Sequence, residues 1–159
     1  MFAFNYVDLF KTYGIEYLLT IVSPLLLIPF TRMTRGEDHI RLLLYTPASE
    51  GVGEQLQRMI EKLVPKNNVE IYRSVESLSL RLRQPADDLP IAAVLLAARR
   101  GDLTELLSIR DLLRDIRIIL VLPDRDEDTI AKGHTLRPRF VSYTDGNFMD
   151  LRFVLEKMI

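Results

Sequence analysis

Between Pro90 and Arg99 the chain runs Ile91-Ala92-Ala93-Val94-Leu95-Leu96-Ala97-Ala98 without a polar side chain. A run this short, closed by breakers at both ends, reads as a strand buried on both faces, the usual state of an interior strand in a parallel sheet. A second run, Arg117 to Leu122, is apolar after its opening arginine, follows one helix-length later and stops at Pro123. Two strands of this kind force the neighbouring segments to cover both faces of one sheet.

The segments between them have the right character. Arg41 to Tyr45 is a mostly apolar strand that stops before Pro47. Val52 to Val64 places Val52, Leu56, Met59, Ile60 and Leu63 on one helical face and Glu54, Gln57, Arg58, Glu61 and Lys62 on the other. Asn67-Asn68 turns into the alternating strand Val69-Glu70-Ile71-Tyr72. Ser74 offers an N-cap for a helix reaching about Arg83. After the central strand, Asp102 caps a helix predicted to extend to Asp115, with Leu103, Leu106, Leu107, Ile109, Leu112 and Leu113 facing inward. A short helix over 126–132 is closed by Gly133, Phe140 to Tyr143 is a mixed strand, and Phe148 to Ile159 is the last helix. Strands alternating with helices in this way predict an α/β fold with a doubly wound parallel sheet. The first, third and fourth strands are nearly all apolar and the second and fifth mixed, so the order 2-1-3-4-5 puts the mixed strands at the edges.

Residues 1–36 differ in kind and are set apart from an α/β domain over 37–159. From Ile15 to Phe30 the only charge is Glu16. A helix over 15–30 would be about 24 Å long, whereas one from Tyr13 to Met33 reaches about 31 Å, enough for a hydrocarbon core of about 30 Å. Its body would hold Leu18, Leu19, Ile21, Leu25, Leu26, Ile28 and Phe30. Tyr13 and Tyr17 would lie near one interface and Arg32 and Arg35 just beyond the other. Pro24 and Pro29 would break a soluble helix but are tolerated in a membrane. A signal peptide fits poorly, because the first ten residues carry no base and no small-residue cleavage site follows. A helix packed in a soluble core is the competing expectation. The leading one is a single membrane anchor, with Arg32 and Arg35 against Lys11 placing the C-terminal domain in the cytoplasm, at the inner membrane.

Composition removes several classes of chemistry. The chain has no Cys, which excludes disulfides and thiolate sites, and only His39 and His134 could supply imidazole. Its 21 basic and 22 acidic residues leave a formal charge of −1, with no basic stripe along the sequence to draw in nucleic acid.

The segment running from Phe140-Val141-Ser142-Tyr143-Thr144-Asp145-Gly146-Asn147-Phe148 into Val154-Leu155-Glu156-Lys157-Met158-Ile159, taken with element order and length, resembles the last strand and helix of response-regulator receiver domains. The resemblance covers residues 39–159. It implies acids after the first strand to hold Mg²⁺, a phosphate-accepting Asp after the third, a hydroxyl after the fourth and a Lys after the fifth. This sequence departs at each place. Thr46, Pro47, Ala48 and Ser49 follow the first strand, with Glu50 the nearest acid. Ala97 and Ala98 stand at the acceptor position, ahead of Arg99 and Arg100. Pro123-Asp124 follows the fourth strand and Thr144-Asp145 the fifth. Without a carboxylate at the third strand's tip no acyl phosphate forms, and one acid does not replace a set clustered around Mg²⁺.

Other chemistry is weaker. Asp87-Asp88 lies at the wrong end of the central strand. Asp124 to Asp128 reads as a solvated charge run. Ser49 and His134 lack any nucleophile-elbow context. Thr46 and Ser49, before a helix start, and Arg99 and Arg100 are the candidates for contact with an anion or a partner. The expectation is a non-enzymatic, cofactor-free pseudo-receiver tethered to the membrane, serving as a regulatory or accessory subunit through protein–protein contacts. The face over 126–159 is its candidate surface for a partner or a homodimer. The alternative is a soluble flavodoxin-like domain that binds a nucleotide or flavin at the Thr46–Gly53 loop.

Overall fold

The computed structural model describes residues 41–47, 51–84 and 92–159. The anchor expected over 13–33, the 1–36 segment with its linker, His39, Asp87-Asp88, and Ser49 with Glu50 all lie outside the described residues. Among the described residues no helix is long and apolar enough to cross a membrane.

Five strands form one parallel sheet in the order β2-β1-β3-β4-β5, with β1 at Leu42–Tyr45, β2 at Val69–Tyr72, β3 at Ala92–Leu96, β4 at Arg117–Leu122 and β5 at Phe140–Tyr143. This is the doubly wound, flavodoxin-like arrangement expected from strand polarity. The register aligns Leu42 with Ala92 and Ala92 with Arg117, so the three interior strands start level. β1 and β3 are buried along their whole length, while β2 and β5, with one free edge each, are at most half-buried.

Alternation along each strand divides the core in two. Leu43, Tyr45, Ala93, Leu95, Ala97, Leu120 and Leu122 face one side, where helices α2 (Val75–Leu82), α3 (Arg100–Ser108) and α4 (Glu127–His134) cover them. Leu42, Leu44, Val94, Leu96, Ile119 and Val121 face the other, under α1 (Val52–Leu63) and α5 (Met149–Met158). Gly51 opens α1 at φ +64°, a conformation that side chains disfavour. The Ser74 Oγ accepts the Ser77 N–H at 3.3 Å, the expected cap of α2.

Three boundaries differ from expectation. Asp102 does not begin α3: the helix starts at Arg100, and the Asp102 carboxylate reaches back to accept the Arg99 N–H at 2.9 Å. Nor does α3 reach Asp115. It ends at Ser108, and a 3-10 turn over Arg110–Leu113 follows. Acids at Asp111 and Asp115 oppose the helix dipole there, and the tighter turn still buries Leu113 and Ile116 ahead of β4. Gly133 does not close its helix either. It lies inside α4 and faces β4, where an added Cβ would stand 3.1 Å from Leu120 Cδ2. The reversal comes later, through Arg137 at φ +53°.

Candidate functional site

In a doubly wound sheet ligands bind beyond the carboxyl ends of the strands. Here those ends are Tyr45-Thr46, Tyr72-Arg73, Leu96-Ala97, Leu122-Pro123 and Tyr143-Thr144. Ala97, at the third tip, is fully buried, and its N–H donates to the Val121 carbonyl at 2.9 Å. It continues the strand register for one residue and points its methyl into the α2–α4 side of the core. Ala98 is half-buried and packs toward the opposite side. The central tip thus presents apolar surface and no titratable group.

Thr46 is buried at the first tip. Its N–H donates to the Tyr72 carbonyl at 3.0 Å, and its own carbonyl accepts from Arg73 Nη1 at 3.3 Å. The backbone that an anion would address is thereby committed to the neighbouring edge strand.

Around the third, fourth and fifth tips the charges pair with one another. Arg100 Nε donates to Asp124 Oδ2 at 2.9 Å, and its Nη2 lies 3.5 Å from Asp126. The other Asp124 oxygen accepts the Asp126 N–H at 3.1 Å. The hydrogen bond from Arg100 is the main reason the Asp124 carboxyl is held below the usual carboxylate range. The fifth tip is tied in by Arg125, whose Nη2 donates to Asp145 at 3.2 Å while its guanidinium lies 4.1 Å from the centre of the Tyr143 ring. Thr144 Oγ1 closes the seam by donating to the Pro123 carbonyl at 3.0 Å.

This arrangement strings arginine–carboxylate pairs across three adjacent strand tips. An acid held ionised by a guanidinium is a poor proton donor or acceptor near neutral pH. These pairs are exposed, so each contributes little to stability. Among the described residues no three His, Asp or Glu side chains gather where they could hold a metal ion. Arg100, a candidate for contact with an anion or a partner, is paired with Asp124 and Asp126. Arg99 is exposed beside it, its backbone N–H taken by Asp102.

Asp124, Arg125 and Asp126 belong to a charge run that reads along the sequence as solvated, and Asp145 reads only as an acid following the fifth strand. The signal lay in the strand order. Once β3, β4 and β5 are neighbours, Arg100 after β3 and Asp124 after β4 are adjacent by construction.

A second polar cluster sits on the free-edge strand. Glu70 accepts from Arg81 Nε at 2.8 Å and from the Tyr72 hydroxyl at 2.8 Å, with Arg41 4.0 Å away. Burial raises the Glu70 carboxyl, but the bonds from Arg81 and Tyr72 outweigh it and leave it below its ordinary value. Arg81 is a residue of α2, so this cluster fastens α2 to β2.

On the 126–159 face, Met149 and Phe153 lie one helical turn apart on α5 and are 46% and 57% exposed. Phe148, just before them, is turned inward and buried, at φ +57°. The inward face of α5 is therefore committed to the core, and the outward face still carries two large apolar side chains. No protein-family model, curated protein or solved structure matches the chain.

Proposed function

We propose that the chain is a non-catalytic pseudo-receiver, tethered to the membrane, that acts as a regulatory or accessory protein–protein interaction subunit of a membrane complex or signalling assembly. The carrying observation is the outward face of α5, where Met149 and Phe153 remain exposed beside a fully formed core. Adjacent apolar side chains on a helix whose other face is already packed suit a partner surface. Two further features support the reading. The strand order is that of receivers, the third tip carries alanine where an acceptor would stand, and the charges at the third to fifth tips pair with one another. The apolar sequence over 13–33, with Arg32 at its end and Arg35 just beyond, supports the tether and a cytoplasmic domain.

A native pull-down from detergent-solubilised membranes tests it, comparing the wild-type chain with Met149→Glu/Phe153→Glu. Both side chains are exposed, so the variant keeps its fold and unfolds within about 0.5 kcal/mol of wild type. The wild-type chain should resist alkaline carbonate washing and co-purify stoichiometric partners, or a second copy of itself, that the variant loses. Equal capture by both proteins removes the α5 face from the proposal. Release of the intact chain by carbonate removes the tether.

A further inference from the structure

The formal charge of −1 conceals a separation of charge between the two edges of the sheet. Each of the five described helices carries an acid in its first turn: Glu54, Glu76, Asp102, Glu127 with Asp128, and Asp150. All but α3 carry a base in the last turn, among them Lys62, Lys132 and Lys157. Because each helix runs back against the strands, the acids collect at the carboxyl edge and the bases at the amino edge. The helix dipoles favour the same sorting.

The amino edge is most concentrated beside β4 and β5. Arg117 opens β4, Arg139 precedes β5 with its N–H on the Ile118 carbonyl, and Lys157 lies in the last turn of α5. These three line an open cleft of about 360 Å³ floored by Val154 and Met158. The ion pairs that neutralise Arg100 and Arg125 at the opposite edge have no counterpart here: among the described residues, no carboxylate lies within ion-pair distance of Arg117, Arg139 or Lys157. Arg114 stands nearby, loosely paired with Asp111 at 3.7 Å. Asp115 lies two residues before Arg117, and Glu156, next to Lys157 in the last turn of α5, is paired with Arg152 at 2.9 Å.

The chain also enters the domain at this edge, because Arg41 leads directly into β1. From Met33 to Leu42 a fully extended chain reaches at most about 32 Å. A tether ending at Met33 therefore keeps the amino edge within that distance of the bilayer.

We propose that the amino edge of the sheet, centred on Arg117, Arg139 and Lys157, docks on the anionic headgroups of the membrane to which the chain is tethered. The inference rests on the tethered reading above. It adds a defined orientation, in which the paired carboxyl edge stays available to a partner. Each cation brought within a Debye length of an anionic leaflet favours docking by about five-fold, so three give on the order of 100-fold.

The absence of Cys from the chain makes single-site labelling direct. The full chain, carrying a fluorophore at Asn67→Cys on the amino edge or at Gly101→Cys on the carboxyl edge, is reconstituted into vesicles of neutral lipid or with one-third anionic lipid. Energy transfer to a headgroup acceptor reports the distance of each edge. Anionic lipid should raise transfer from Asn67→Cys and leave Gly101→Cys the more distant of the two. Raised salt, or Arg117→Gln/Arg139→Gln/Lys157→Gln, should reverse the gain, while Arg117→Lys/Arg139→Lys retains most of it. Circular dichroism confirms that the variants remain folded.

If the chain floats with both vesicle types but transfer is the same in each, or the triple variant behaves as wild type, the docking edge is overturned and the tether stands. If the chain floats only with anionic vesicles, and the triple variant with neither, the tether falls and the docking edge stands. Failure to float with either vesicle removes both.

Discussion

Tyr45 sits at the end of β1, almost wholly buried, with Val75, Leu78 and Leu103 in the same part of the core. Burial, and then the nearby charges of Asp102, Glu105 and Glu76, push its phenol up to about 12. Tyr72 is likewise pushed up to about 12, by burial and by its bond to Glu70. A phenol raised in the folded state keeps its contribution to stability below its unfolded value of about 10, and loses it as pH climbs from there toward 12. Phenolate absorbance should therefore show two tyrosines resisting ionisation until the fold itself gives way in that window. In Tyr45→Phe the onset of alkaline unfolding should move to higher pH; an unchanged onset would mean that Tyr45 ionises without strain. Ala97 poses the converse case. Ala97→Asp places a carboxylate at a fully buried position within an apolar cluster, which should cost on the order of 3 kcal/mol. Thermal unfolding should shift down by several degrees, and acetyl phosphate should leave no label on the variant. Incorporated label would contradict the assignment of this tip as chemically empty.

At the level of elements, the strands were legible because burial on both faces leaves no room for polar residues. β3 reads as an unbroken apolar run, β1 and β4 as nearly all apolar, and the mixed composition of β2 and β5 correctly marked them as edges. Helix boundaries were harder, since a boundary depends on what the next turn packs against. Asp102 has the chemistry of a cap and does serve the helix start, but from the third position of the helix. Gly133 looks like a stop signal in sequence; its reason is the leucine pair Leu120 and Leu122 across a very close helix–sheet contact. That reason predicts a graded response. Gly133→Ala recovers about 1 kcal/mol of helix propensity and needs the leucine methyls to yield a few tenths of an ångström, so its stability should stay within about 1 kcal/mol of wild type. Gly133→Val adds two methyl groups where no space exists and should lose about 2–3 kcal/mol. Urea denaturation of the pair separates the accounts, since a glycine needed only to end the helix would suffer from both changes alike.

For the molecule as a whole, alternation along β1 makes one sheet the common wall of two cores. Sequence periodicity gave those faces but not the ionic seam at the strand tips or the separated edges, because both arise between segments distant in sequence. Arg100 meets Asp124, and Arg117 comes beside Lys157, only after the strands are ordered. The shared wall has a consequence for cooperativity. Leu43 faces the α2–α4 side and Leu44, the next residue, faces α1 and α5, and both are fully buried. Either residue changed to Ala should cost about 2–5 kcal/mol through lost contact and the cavity left behind. If the sheet couples its two faces, each change lowers a single transition, and amide exchange accelerates in α1 and α3 together. A domain of this size has about 5–15 kcal/mol of total stability, so Leu43→Ala/Leu44→Ala should be largely unfolded at ambient temperature. Separate exchange behaviour, with Leu43→Ala loosening α3 while α1 stays protected, would show instead that the two cores melt independently.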